Sequence, residues 1–282
     1  MAIRIITDSA SDLTPDQARA KSVTVVPLSI QFGPDSYFDG ISITKDNFYQ
    51  LLLAGKHHPT TAQPSPEAFL QYFEEAKTAG DQVICISLAS QLSGTFQSAN
   101  IAKGLCDYDG IYLIDSESAT GGMQILIDLA CKRREQGAAA AEIAAELEAL
   151  KPRIRIYAVI DTLEYLYKGG RLSAASAVVG TAVRLKPILD VRHGQIHVAS
   201  KAFGSAAAEK QLTKLIAEHP FDENYPVFHL YSDSDERKAG FVAALTEKGL
   251  LSASPDSCQL GATLGTHVGP GALGLAYIAA EE

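Results

Sequence analysis

The sequence has no C-x-x-C pair, no basic stripe and no long apolar run. Its four cysteines, Cys85, Cys106, Cys131 and Cys258, therefore read as small buried hydrophobes in a reducing compartment, not as a zinc site or a disulfide framework. Lys and Arg number 24 against 33 Asp and Glu, a formal net charge of −9. The longest cationic cluster, Lys132-Arg133-Arg134, fits a solvated helix face, so no nucleic-acid partner is expected. No stretch of about 18 uninterrupted apolar residues exists, so neither a membrane span nor stable membrane insertion is expected. The opening "MAIRIITDSASDL" has neither an apolar h-region nor an A-x-A site. No signal peptide is expected, and the location is read as cytoplasmic.

Catalytic motifs are missing in the same way. There is no G-x-x-x-x-G-K-[ST] to cradle nucleotide phosphates and no G-x-S-x-G nucleophile elbow. "GPGALG" (269–274) matches a dinucleotide fingerprint letter for letter. That fingerprint needs a following helix and an acidic residue about 20 positions on, and only eight residues remain. It reads as a tight turn before a last strand. "SDSDE" (232–236) could offer Asp233 and Asp235 to a metal, but no second cluster supports that, and a helix N-cap is the expectation. "TDSASD" (7–12) follows a first strand, as a phosphoryl-accepting aspartate would, yet lacks a second Asp two positions after Asp8. His57-His58 reads as solvated. No catalytic residue, metal or cofactor is expected.

What is present is a core. The 282 residues are 46% apolar, enough for two ordinary domains. Strand-like runs "IRIIT" (3–7), "VTVVPLSIQF" (23–32), "QVICISL" (82–88) and "GIYLID" (110–115) alternate with helical stretches. Thr14 caps a helix whose first residue is Pro15; Thr44 caps another. This rhythm predicts an α/β domain with a mostly parallel sheet over residues 1–155. Beyond it, "KPILDVRHGQIHVASKAF" (186–203) reads as an antiparallel hairpin turning at His193-Gly194. Strands at 225–231 and 273–280 and a capped helix at 234–249 complete a second α/β domain, 156–282, with a mixed sheet.

Ligands of open α/β sheets bind beyond the carboxyl ends of the strands. "QLSGTFQSAN" (91–100) lies at such an end, where a strand hands over to a helix. Helix N-termini attract anions, so Ser93, Gly94 and Thr95 form a candidate anion site for a phosphate, a tetrahedral intermediate or a carboxylate. "TTAQPSP" (60–66) adds the Thr61 hydroxyl. "GTHVGPG" (265–271) adds His267 between glycines.

These segments together resemble the DegV family of bacterial fatty-acid-binding proteins. The resemblance rests on "TDSASDL" (7–13), "FDG" (38–40), "TAQPSP" (61–66), "LSGTFQSA" (92–99), "DS" (115–116), "GGRLS" (169–173), "KPIL" (186–189) and "GTHVGPGALG" (265–274), and so covers nearly the whole chain. It implies two α/β domains with one long-chain fatty acid between them. It also implies that the carboxylate is held by Thr61 and Ser93 with His267 nearby, Ser93 donating and Gly94 leaving room. By the same resemblance the protein is a carrier, not an enzyme; a monomer is expected. It presents the carboxylate to a separate ATP-dependent fatty acid kinase, whose acyl phosphate feeds phospholipid synthesis. One position departs from the pattern: where kinase-coupled members have K-x-R, this chain has Lys201-Ala202-Phe203. Phe203 and Arg171 are therefore the candidate partner contacts, with an ion pair to Asp39 the competing role for Arg171. A fatty-acid buffer or sensor without a kinase is the alternative reading. An enzyme using Ser93 or Asp8 is the third.

Overall fold

In a computed structural model the structure describes residues 2–172, 185–251 and 254–281. Ser173, the last residue of "GGRLS", lies outside them. The first part of the chain runs β1 (Ile3–Asp8), α1 (Pro15–Ala20), β2 (Val23–Val26), β3 (Ser29–Phe32), β4 (Asp35–Phe38), α2 (Lys45–Leu53), β5 (Thr60–Ala62), α3 (Pro66–Ala79), β6 (Gln82–Ser87), α4 (Thr95–Cys106), β7 (Ile111–Asp115), α5 (Thr120–Glu135) and α6 (Ala140–Leu150). It continues as β8 (Ile154–Val159), α7 (Glu164–Lys168), β9 (Leu185–Arg192), β10 (Gln195–Phe203), α8 (Ser205–Glu218), β11 (Phe228–Tyr231), α9 (Lys238–Glu247), β12 (Asp256–Gln259), α10 (Ala262–Val268) and β13 (Leu273–Ile278).

Two main sheets result, as the alternation of elements implied. The first, in order β2-β1-β6-β7, is parallel throughout. The second, β10-β9-β8-β13-β11-β12, is mixed, with only β11 and β12 parallel. Its hairpin turns at His193 and Gly194, both at positive φ (50° and 72°), as a two-residue turn with the strands' own twist requires. The helix α5 is buried over its whole first half, Thr120 to Ile127. A helix buried on every face must be covered all round. It lies between the sheets, and one continuous core joins Ile5, Ile84 and Ile86 of the first sheet to Ile156, Leu230 and Ala276 of the second.

Two expectations change. Residues 23–32 are not one strand. Pro27 has no N–H to give a ladder, and the chain breaks there. β2 stays in the parallel sheet, while β3 joins β4 and β5 in a separate three-stranded antiparallel sheet. The segment 234–249 is shorter as a helix than expected, and no side chain caps α9. Ser232 and Asp233 instead fasten the turn before β13. Gly271 N–H donates to Asp233 Oδ1 at 2.6 Å, and Ala272 N–H to Ser232 Oγ at 2.9 Å.

Candidate functional site

The order of the parallel sheet reverses between β1 and β6, and the loops leaving those strands open a crevice. Asp8 ends β1 and is fully buried. Its buried carboxylate accepts Leu88 N–H at 2.7 Å and Ala10 N–H at 2.9 Å. Both oxygens are engaged in holding the backbone of the two loops. Leu88 begins the loop that carries Ser93 to the start of α4. Opposite lies the second sheet. Between them is a cavity of about 880 Å³, mouth included, walled by Leu88 and Leu92 on one side and by Ile156, Leu189, Val191 and Leu230 on the other.

Among the residues lining this cavity are Thr61, Ser93, Arg171 and His267. Each comes from a different element. β5 presents Thr61, paired in register with Ile30 of β3. The helix α10 presents His267 near its end. His267 Nε2 is 2.9 Å from Thr61 Oγ1. Burial, and then the charges of Arg171 and His58, lower the His267 pKa to about 4, so the ring is neutral at pH 7. Its Nδ1 is buried with no hydrogen-bond partner. A buried orphan N–H is rarer than an under-satisfied acceptor, so the proton belongs on Nε2, which donates to Thr61. The Thr61 hydroxyl proton is then free for a ligand.

Ser93 reaches a matching state. Thr95 N–H donates to Ser93 Oγ at 3.3 Å, and the Thr95 hydroxyl lies 2.8 Å from it. When both donate, Ser93 has accepted twice and keeps its own proton to give. Two hydroxyl donors and a neutral imidazole beside an apolar cavity suit a carboxylate with a long hydrocarbon tail. A phosphate dianion would call for more positive charge.

The remaining candidates are placed as follows. Thr95 is fully buried and serves Ser93. A side chain at Gly94 would overlap the Gln63 amide, so that amide takes the room that the sequence reading left for a headgroup. Arg171 makes no ion pair with Asp39. Its Nε donates to Leu92 O at 3.0 Å and its Nη1 to Gly169 O at 2.6 Å. Asp39 is occupied by α10, accepting Ala262 N–H at 3.2 Å and Thr263 N–H at 3.0 Å. Phe203 is 74% exposed at the end of β10. His58, read as solvated, packs on Tyr165 with ring centroids 5.6 Å apart. Among the described residues no three His, Cys, Asp or Glu side chains group to hold a metal ion, and no helix is long and apolar enough to cross a membrane.

Sequence reasoning missed Gln63, and it missed Gly169, which adjoins His267. It also missed Asp12 and Asp39 as the anchors of α10. "FDG" and "GGRLS" contain two of these, but only a partner more than 90 residues away gives them a role.

Comparison with known proteins agrees with this fold. A family model described as an uncharacterised protein, DegV family, matches residues 2–280. A DegV domain-containing protein of Caldanaerobacter subterraneus subsp. tengcongensis is 37% identical over 276 residues, covering 98% of each chain. A DegV family protein from Thermus thermophilus, described by its fatty acid binding, superposes with a TM-score of 0.90 at 31% identity, covering 99% of this chain and 100% of that one. A stearic-acid-binding protein from Eubacterium ventriosum gives 0.87 at 29% identity, covering 99% and 98%.

Proposed function

The chain belongs to the DegV family, and we propose that it carries one long-chain fatty acid between two domains that divide near residue 155. The acyl chain lies in the cavity, and the carboxylate accepts hydrogen bonds from Thr61 and Ser93 beside His267. The observation that carries this reading is the cavity itself, lined mostly by apolar side chains and also by Thr61, Ser93 and His267. The fatty acids bound by the Thermus and Eubacterium relatives support it. A chain of about sixteen carbons gains on the order of 10 kcal/mol on leaving water, at ~0.8 kcal/mol per CH₂. Desolvation of the carboxylate opposes this unless its oxygens are hydrogen-bonded.

The family resemblance extends the proposal. A separate fatty acid kinase receives the presented carboxylate in the cytoplasm. A carboxylate oxygen attacks the γ-phosphorus of ATP, ADP leaves, and acyl phosphate enters phospholipid synthesis. This protein, acting as a monomer, supplies no catalytic residue. One observation favours a second reading, a fatty-acid buffer or sensor without a kinase: the exposed Phe203 stands where kinase-coupled members carry arginine.

Extraction of the purified protein into organic solvent, followed by mass spectrometry, tests the binding. A C14–C18 acid at near-stoichiometric amount is expected. An empty protein that also fails to take up added acids of that length refutes it.

A further inference from the structure

The "GGRLS" segment turns at two glycines with different tasks. Gly170 has φ +69° and nothing within 4 Å of where a side chain would be; it is there for the turn. Gly169 has φ −76°, an ordinary helical value that any L-residue adopts. Its bare Cα answers to a neighbour instead. A Cβ at Gly169 would overlap His267 Nδ1, and the next atoms it met would be His267 Cε1 and the Tyr165 carbonyl oxygen. The imidazole edge thus rests flat on the backbone at Gly169. That edge is the nitrogen found buried without a hydrogen-bond partner. A proton there would press on the Gly169 methylene with no acceptor to receive it.

We propose that Gly169 is a positioning residue for the carboxylate site: it seats the His267 ring with its proton on Nε2, and so leaves the Thr61 hydroxyl proton free for the ligand. The consequence for binding rests on the fatty-acid reading; the seating of the ring does not. Arg171 reinforces the seat. Its guanidinium holds Gly169 O and Leu92 O at once, fixing the distance between the Gly169 turn and the Ser93 loop. The charged and titratable groups that bear on the ring are Arg171 and His58. Neither accepts a proton from Nδ1 in this arrangement.

The test uses the full chain labelled with ¹⁵N and palmitate as the ligand. Ring nitrogen shifts of His267 in the ligand-free protein should report the Nε2–H tautomer. Gly169→Ala should disturb that pattern and weaken palmitate binding about tenfold or more, the scale of one lost hydrogen bond to a charged group. In a His267→Ala background the same substitution should cost less than twofold, because there is no ring to displace. Gly170→Ala, strained at its positive φ, should lower the melting temperature and leave the His267 shifts alone. The proposal is overturned if Gly169→Ala leaves shifts and affinity unchanged. It is equally overturned if the affinity loss is the same with and without His267, or if the ligand-free ring carries its proton on Nδ1. A wild-type protein that binds no palmitate refutes the fatty-acid reading, and the ligand-free tautomer then still decides the seating.

Discussion

Replacing Ser93 by alanine should separate the site from its scaffold. The Ser93 hydroxyl has two tasks. It holds the Thr95 amide and hydroxyl at 3.3 and 2.8 Å, and its own proton faces the cavity that it lines. Loss of the first task resembles loss of a helix cap, about 1 kcal/mol, or roughly 2 °C in melting temperature for a protein of this size. Loss of the second removes a hydrogen bond to a carboxylate, ~1.5–3 kcal/mol, which is roughly 10- to 150-fold in dissociation constant. Ser90 provides the comparison. It is exposed, and its backbone N–H rather than its hydroxyl bonds to Asp115 Oδ1 at 3.1 Å. Ser90→Ala should therefore change neither quantity measurably. Calorimetric titration of delipidated protein with palmitate, alongside thermal unfolding of the same samples, reads both. Equal affinities for the two variants, or an affinity loss that merely tracks the loss of stability, would refute the role given to Ser93.

Three further outcomes follow from the geometry. Gly94→Ala should cost no more than about 1 kcal/mol of stability, the scale of the Gln63 Nε2–H bond to Ser98 Oγ at 2.9 Å that must shift, and leave palmitate affinity within about twofold; a large affinity loss by titration would return Gly94 to the headgroup. His229 is buried, stacks on Tyr231, and has its pKa lowered to about 4 chiefly by burial. The unfolded chain therefore binds a proton below about 6.5 that the folded chain refuses until about 4, and stability is lost as pH falls through that window. His229→Phe removes the loss, so its melting temperature relative to wild type should climb between pH 6.5 and 4 by the equivalent of ~1.4 kcal/mol per pH unit; a constant difference in pH-resolved thermal scans would show that His229 is charged in the fold. Phe203→Arg should raise phosphorylation of the bound acid by a kinase from an arginine-containing relative, with a gain that shrinks in salt; lost fatty acid or lost stability would mean that Phe203 is not a surface residue.

The sequence exposed what is decided locally. The Thr14 cap with Pro15 is a capping box closed by Gln17, and Thr44 caps α2 as expected. The hairpin at His193-Gly194 and the turn at 269–271 depend on residues that tolerate positive φ, so they too were legible. The three-stranded sheet was not. Its strands are three or four residues long, and Pro27 lay inside a run read as one strand. The helix α10 escaped for a different reason. "ATLGTHV" contains a glycine and two threonines, poor helix formers, and no local cap opens it. His267 was therefore found as a residue but not as the end of a helix.

What makes α10 a helix lies 223 to 249 residues away. Asp12 Oδ1 accepts Gly261 N–H at 2.7 Å, and the Asp39 carboxylate accepts Ala262 N–H, Thr263 N–H and the Thr263 hydroxyl, the last at 2.5 Å. The first N–H groups of a helix have no partners of their own. Here buried carboxylates from the first part of the chain supply them, and the N–H donors offset part of the cost of burying those charges. Burial still pushes the Asp12 pKa up to about 7, against the pull of Lys45, whose ammonium is tied to Asp12 O and Gln259 O. The arrangement is expensive as a stability device and makes sense as a registration device. Six residues on from Gly261, at 1.5 Å each, His267 stands about 9 Å from this anchor, facing Thr61 from the same part of the chain. The same bonds turn the Thr263 hydroxyl toward Asp39, so a threonine in the cavity wall contributes its methyl group to an apolar lining. Asp12 and Asp39 thus act one step back from the cavity, setting where the imidazole stands and turning one wall hydroxyl away from it.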